Sequence, residues 1–298
     1  MIVNTRPHGD EATFKPTESS TMTTFDTPEP ITATIDIETG HVTIRADDRA
    51  TTLVQVRPSD AASDADVQAA VLTTVEYAHG RLKVQAPKNK LRSLFGRPPS
   101  IEVTIELPHD SHVDATTAAG FHSHGRLGAA TAETAIGSIH VDHAARLKLR
   151  TGVGDVAVTW AEGLIDATTS SGNIQIGAVD GTAIVTTASG DITIGEATGD
   201  LRLEAIKGDI AVTRALAAVI AKASTGDIRI GQVTRGTIVL ETRRGQVELG
   251  VKEGSATKLD LNTSHGKVHN ELSETAETGE IVDIRARTGM GDIVLRRA

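Results

Sequence analysis

The sequence predicts an all-β protein: a parallel β-solenoid (β-helix) of ~18-residue coils, preceded by a small β-rich module with one short helix. Three observations predict it. One phrase recurs at 18-residue steps: Gly154-Asp-Val-Ala-Val, Gly172-Asn-Ile-Gln-Ile, Gly190-Asp-Ile-Thr-Ile, Gly208-Asp-Ile-Ala-Val and Gly226-Asp-Ile-Arg-Ile. Self-similarity at a short fixed period marks a repeat architecture. The residues two and four places after each glycine are aliphatic, as in Ile139/Val141, Val156/Val158, Ile174/Ile176 and Ile293/Leu295, with Asn270 the exception. Aromatic residues make up 2% of the chain and none follows Trp160, so the later core must pack from Ile, Val, Leu and Ala, as narrow coils do.

A second half-unit lies nine residues before each central glycine and carries its own aliphatic pairs, such as Leu147/Leu149, Ile165/Ala167, Ala183/Val185 and Leu201/Leu203, followed by a small Thr or Ala. Each half therefore reads as a strand of about five residues plus a turn, with alternate side chains inward and glycine at the corner. Eighteen residues bring the chain round once and lay each strand parallel to its counterpart, ~4.8 Å away. A single coil cannot bury its apolar face, but a stack can.

Taken in order, residues 1–23 read as a disordered tail. Residues 24–112 form the β-rich capping module: Ile31, Ala33, Ile35 and Ile37 alternate with polar residues, and Gly40 turns the chain into Val42-Thr-Ile44. A helix is expected over 64–74, capped by Ser63 or Asp64. The solenoid occupies 113–298. Its coils become irregular from about 251, where the glycine spacing widens to 21 (Gly245 to Gly266) and then 25 (Gly266 to Gly291).

Composition narrows the function. A net charge of −9 argues against nucleic-acid binding. Without cysteine there is no disulfide framework, no thiol nucleophile and no Cys-type zinc site. No apolar run reaches the ~20 residues of a membrane helix, and the acidic first residues lack a signal-peptide pattern. The expected location is the cytoplasm, with the cell surface as the alternative.

Three constellations are candidates for chemistry. A basic loop with an apolar tip carries Arg92, Leu94, Phe95 and Arg97 and is a candidate contact site; its alternative is a loop packed on its own domain. Six histidines fall between His109 and His143, of which His122, His124 and His140 are the metal candidates. Counted from Gly120, His122 and His124 point inward and His140 outward, so no convergent site is expected and no cofactor is assigned. The third is a ladder of Asp155, Asn173, Asp191, Asp209 and Asp227, which resembles calcium-binding repeats loosely but lacks their flanking glycines, and reads as turn chemistry. Sugar-cleaving β-helix enzymes need clustered acids and stacking rings, and no such platform follows Trp160, which is expected over a coil corner. No nucleophile elbow or phosphate loop is present.

Thr39-Gly-His-Val-Thr-Ile44, Glu76-Tyr-Ala-His-Gly-Arg-Leu-Lys-Val84, Ile105-Glu-Leu-Pro108, the Gly-Asp-Ile units and Arg287-Thr-Gly-Met-Gly-Asp-Ile293 resemble the bacterial β-strand-repeat family DUF4097, labelled "putative adhesin", and look most like its actinobacterial members. The resemblance covers about residues 25–298 and implies a β-solenoid with a small N-terminal β module and no established activity. The expected function is a non-enzymatic scaffold presenting flat polar faces to a protein partner or to itself, with no small-molecule substrate. The alternatives are a cell-surface adhesin or glycan binder, and a cryptic carbohydrate-active enzyme.

Overall fold

The computed structural model describes residues 21–87, 98–272 and 280–298. Its first part comprises β1 (Thr21–Asp26), β2 (Thr32–Asp36), β3 (Gly40–Asp47), β4 (Thr51–Pro58), α1 (Asp64–Leu72), β5 (Thr74–Ala78), β6 (Arg81–Gln85), β7 (Ile101–Pro108) and β8 (His112–Thr117). Two long strands, β9 (Phe121–Ile136) and β10 (Ile139–Val153), each run through a whole coil. Regular coils follow as pairs: β11 (Val156–Ala161) with β12 (Ile165–Ser171), β13 (Ile174–Val179) with β14 (Ala183–Ser189), and β15 (Ile192–Ala197) with β16 (Leu201–Lys207). Then come β17 (Ile210–Ala215) with β18 (Val219–Thr225), and β19 (Ile228–Val233) with β20 (Gly236–Arg244). The last elements are β21 (Val247–Val251), β22 (Ala256–His265), β23 (Val268–Asn270), β24 (Ile281–Met290) and β25 (Ile293–Arg297).

Each coil is two arms meeting at a corner. In the coil that starts at Gly172, Ile174 and Ile176 point inward on the first arm, Val179 fills the corner, and Ala183, Val185 and Thr187 point inward on the second. Equivalent residues lie side by side in neighbouring coils, Ile174 beside Ile192 and Ala183 beside Leu201, so the buried columns are continuous. The buried threonine of the second arm is satisfied across the coil. Thr169 Oγ1 donates to the Gly154 carbonyl at 3.1 Å, Thr187 to Gly172 at 3.3 Å and Thr242 to Gly226 at 3.0 Å. A hydroxyl is tolerated there because it is never left unpaired.

Both ends of the stack depart from chain order. The parallel first arm runs β7–β3–β9–β10–β11–β13–β15–β17–β19–β21–β25–β23, and the second runs β6–β2–β8–β9–β10–β12–β14–β16–β18–β20–β24–β22. The coil earliest in the chain, β2/β3, is thus enclosed by β6/β7, and the last, β24/β25, by β22/β23. The threonine bonds follow space and not sequence: Thr288 donates to Gly245 and Thr263 to Gly291, each at 2.9 Å. Asn270, a polar residue in the aliphatic columns, lies exposed on the outermost rung of the first arm, so it costs no buried polar group.

At the other end, β4 and then β1 add antiparallel beyond β7, β5 adds antiparallel beyond β6, and α1 packs on β4 and β7. Ser63 caps α1 by accepting from the Asp66 amide. Asp66 is itself buried and accepts from the amides of Ser100 and Asp60 at 3.0 and 3.2 Å, which pins the helix to the sheet. Residues 21–23 belong to β1, whose Phe25 ring sits 5.2 Å from Tyr77, and the expected tail otherwise lies outside the described residues. One buried apolar cluster runs from Ile31 to Leu295 and crosses the expected border near 112 without a break.

Candidate functional site

The histidine-rich strands sit in a different register from the one expected. β10 pairs with β9 through Ile139 beside Phe121, His140 beside His122 and Val141 beside Ser123. The residue opposite the corner glycine Gly137 is therefore Ala119, against whose backbone a Cβ on Gly137 would come within 2.4 Å. Gly120 is not the corner, and a one-residue shift turns every side chain of a strand to the other face. Phe121 and Ser123 are fully buried, while His122 and His124 point outward beside His140. Gly120 imitates a corner glycine in the sequence, and the polar Ser123 does not mark its own core position.

The outward patch this creates is dense in nitrogen and oxygen donors. The rings of His122 and His140 stand edge to face with centroids 6.1 Å apart. Asp142 lies between two histidines: its Oδ1 is 3.2 Å from His140 Nε2 and its Oδ2 is 3.3 Å from His124 Nδ1. A carboxylate only accepts, so both ring nitrogens donate. His41, on the neighbouring β3, lies over Gly120, where an added Cβ would come 3.0 Å from its Nδ1. Partial burial, then the nearby rings of His140, His41 and His124, hold the pKa of His122 below the ordinary histidine value. The neutral ring is therefore favoured there. His41 escaped the sequence reading, although Gly40-His-Val-Thr-Ile repeats the coil phrase and places it beside a corner glycine.

Within the patch, β9 carries a bulge: His124 and Gly125, between Ser123 and Arg126, oppose the single residue Asp142 between Val141 and His143. Gly125 absorbs it with φ +81°, and its Cβ position is filled by the Ala46 carbonyl 1.9 Å away. Beyond the bulge, His143 stacks on Trp160 with centroids 4.4 Å apart and bonds Glu162 Oε1 through Nε2 at 2.9 Å. Arg126 bridges Asp110 at 3.0 Å and Glu162 at 3.7 Å. Trp160 lies at a coil corner, immediately before the inward Ala161.

Elsewhere the ladder beside the corner glycines does turn work. Asp155 Oδ1 accepts the Asn173 amide at 2.7 Å, Asn173 Oδ1 the Asp191 amide at 2.9 Å, and Asp191 and Asp209 the next amides at 2.8 Å each. Asp191→Ala is expected to lose about 1 kcal/mol or less, leaving the Asp209 amide to water. Calcium chloride should leave the melting temperature of the native chain unchanged; a rise would restore the calcium reading. On the outer side of the second arm an open groove of ≈ 910 Å³ runs past Thr186, Glu204, Lys222, Glu241, Asn262 and Arg287. Its carboxylates are ion-paired, Glu204 with Arg202 at 3.1 Å and Glu241 with Lys222 at 2.9 Å. The predicted contact residues Arg92, Leu94, Phe95 and Arg97 lie outside the described residues. Among the described residues no helix is long and apolar enough to cross a membrane.

A family model described as Toastrack DUF4097 matches residues 32–280. Among solved structures, a putative adhesin from Bacteroides fragilis shares 16% identity over 94% of this chain and 99% of its own, with a TM-score of 0.39. A putative adhesin from Parabacteroides distasonis shares 13% over 92% of this chain and 97% of its own, at 0.38. A putative lipid binding protein from the same species shares 11% over 92% and 96%, at 0.36. No curated protein matches.

Proposed function

The chain belongs to the Toastrack DUF4097 family, and from that premise we propose that it is a non-enzymatic binding protein, a stiff scaffold that docks a protein partner on its outer faces. The observation that supports this is the groove on the second arm. It is long, open and polar, and its acids sit beside Arg202 and Lys222. Charged and polar side chains spread over a rigid parallel stack suit recognition through complementary charge.

The test combines Lys222→Glu with Arg287→Glu on the groove. A partner retained by the native chain should be released by this variant and kept by Gln175→Glu on the other arm. Equal retention by all three would remove the groove as the docking face. Dye release from chromogenic glycosides above the blank would overturn the non-enzymatic reading. The competing reading is an adhesin that binds surface glycans, and it predicts binding to intact cells that free oligosaccharide displaces. The proposed compartment is the cytoplasm, supported by a cysteine-free chain that has no disulfide to gain from export. Recovery only with the cell surface would defeat it.

A further inference from the structure

Four outward side chains near the start of the repeat stand at the corners of a rectangle. His122 and His124 are two residues apart on β9, a spacing of about 6.7 Å along one face of a strand. His140 and Asp142 have the same spacing on the adjacent β10, and His122 pairs directly with His140 at the neighbouring-strand distance of about 4.8 Å. Three imidazoles and a carboxylate are the donors that zinc and its first-row neighbours prefer, whereas calcium and magnesium take oxygen alone. We propose that His122, His124, His140 and Asp142 form a binding site for one zinc-class divalent cation on the outer face of β9 and β10.

The spacing of donor atoms supports this. The nitrogen–oxygen separations at Asp142 are 3.2 and 3.3 Å. Two ligands about 2.0–2.1 Å from a tetrahedral zinc stand about 3.3 Å apart, so these hydrogen bonds already hold donors at the length of a coordination edge. As they stand, the side chains bond to each other, and among the described residues no three donors surround a common point. The cation would replace both bonds to Asp142. That exchange needs rotation of exposed side chains, since His124, His140 and Asp142 are 53%, 43% and 37% exposed, and transfer of each ring proton to the other nitrogen so that the ligating one is free. The buried Phe121, Ser123, Ile139 and Val141 fix the His122–His140 side, and the bulge at Gly125 sets where His124 stands against Asp142.

The experiment is calorimetric titration of zinc chloride into the full chain, with melting temperature measured alongside. One site per chain is expected, with a rise in melting temperature, and no response to magnesium or calcium chloride. His140→Ala and Asp142→Asn should each weaken zinc binding about tenfold or more, and His122→Ala with His140→Ala should abolish it. His269→Ala, at the far end on β23, serves as the control and should bind as the native chain does. Melting curves without zinc confirm that the variants fold. The site is overturned by absence of saturable zinc binding at neutral pH, or by unchanged affinity in the double variant. Partner capture at the groove is read independently, so either reading can fail with the other intact.

Discussion

Gly208→Ala is expected to cost at least about 3 kcal/mol, a large share of the ~5–15 kcal/mol that a folded domain has to lose. Two penalties coincide. Gly208 has φ +140°, a conformation that L side chains rarely adopt. A Cβ there would also meet the Gly190 carbonyl oxygen at 1.9 Å and its carbon at 2.5 Å. Neither backbone can yield, because β17 is paired with β15 on one side and β19 on the other. In a linear stack most stability resides in contacts between neighbours, so a forced gap at a central coil weakens both halves. Gly254 is the comparison: it has φ +79° but nothing within 4 Å of its Cβ position. Gly254→Ala should therefore lose only the conformational share, about 1–2 kcal/mol. Urea unfolding of both variants decides the matter. If Gly208→Ala is no worse than Gly254→Ala, close approach of the corner glycines is not what holds the coils in register.

The repeat was legible because its signal is doubly enforced. Every Gly-Asp-Ile unit must supply an open corner, a turn-bonding acceptor and two inward aliphatics, and a change in any of them would cost the stack. Order at the two ends was not legible. Equivalent phrases can pair at either open edge of a parallel stack, so nothing in Gly40-His-Val-Thr-Ile says that β3 lies between β7 and β9. Likewise the 25-residue step to Gly291 does not reveal that β24 slips between β20 and β22. The histidine patch failed for a local reason. Gly120 imitates a corner glycine, and reading from it reverses β9. The apolar candidate for the inward position, Phe121, was in plain view, but its companion Ser123 broke the aliphatic rule that fixes register elsewhere.

That pair sets up the second large effect. Phe121 is completely buried, flanked in register by Val42 and Ile139, and it joins the first strands to the repeat. Phe121→Ala should cost about 3–5 kcal/mol, since stiff paired strands cannot collapse into the space left behind. Two residues on, the buried Ser123 hydroxyl has no hydrogen-bond partner among the described residues. It stands between Ile44 and Val141, where an alanine methyl makes the same contacts without a desolvated hydroxyl. Ser123→Ala should therefore stabilise by about 1 kcal/mol. Opposite signs two residues apart on one strand are a strict test of the observed register, because in the inverted one both residues would face water and both changes would be near neutral. Thermal unfolding of the two variants reads the signs directly. Zinc titration of the same proteins adds a second measure. Ser123→Ala leaves the outward rectangle intact and should bind as the native chain does. Phe121→Ala loosens the strand that carries His122 and His124, and should weaken binding although it touches no proposed ligand.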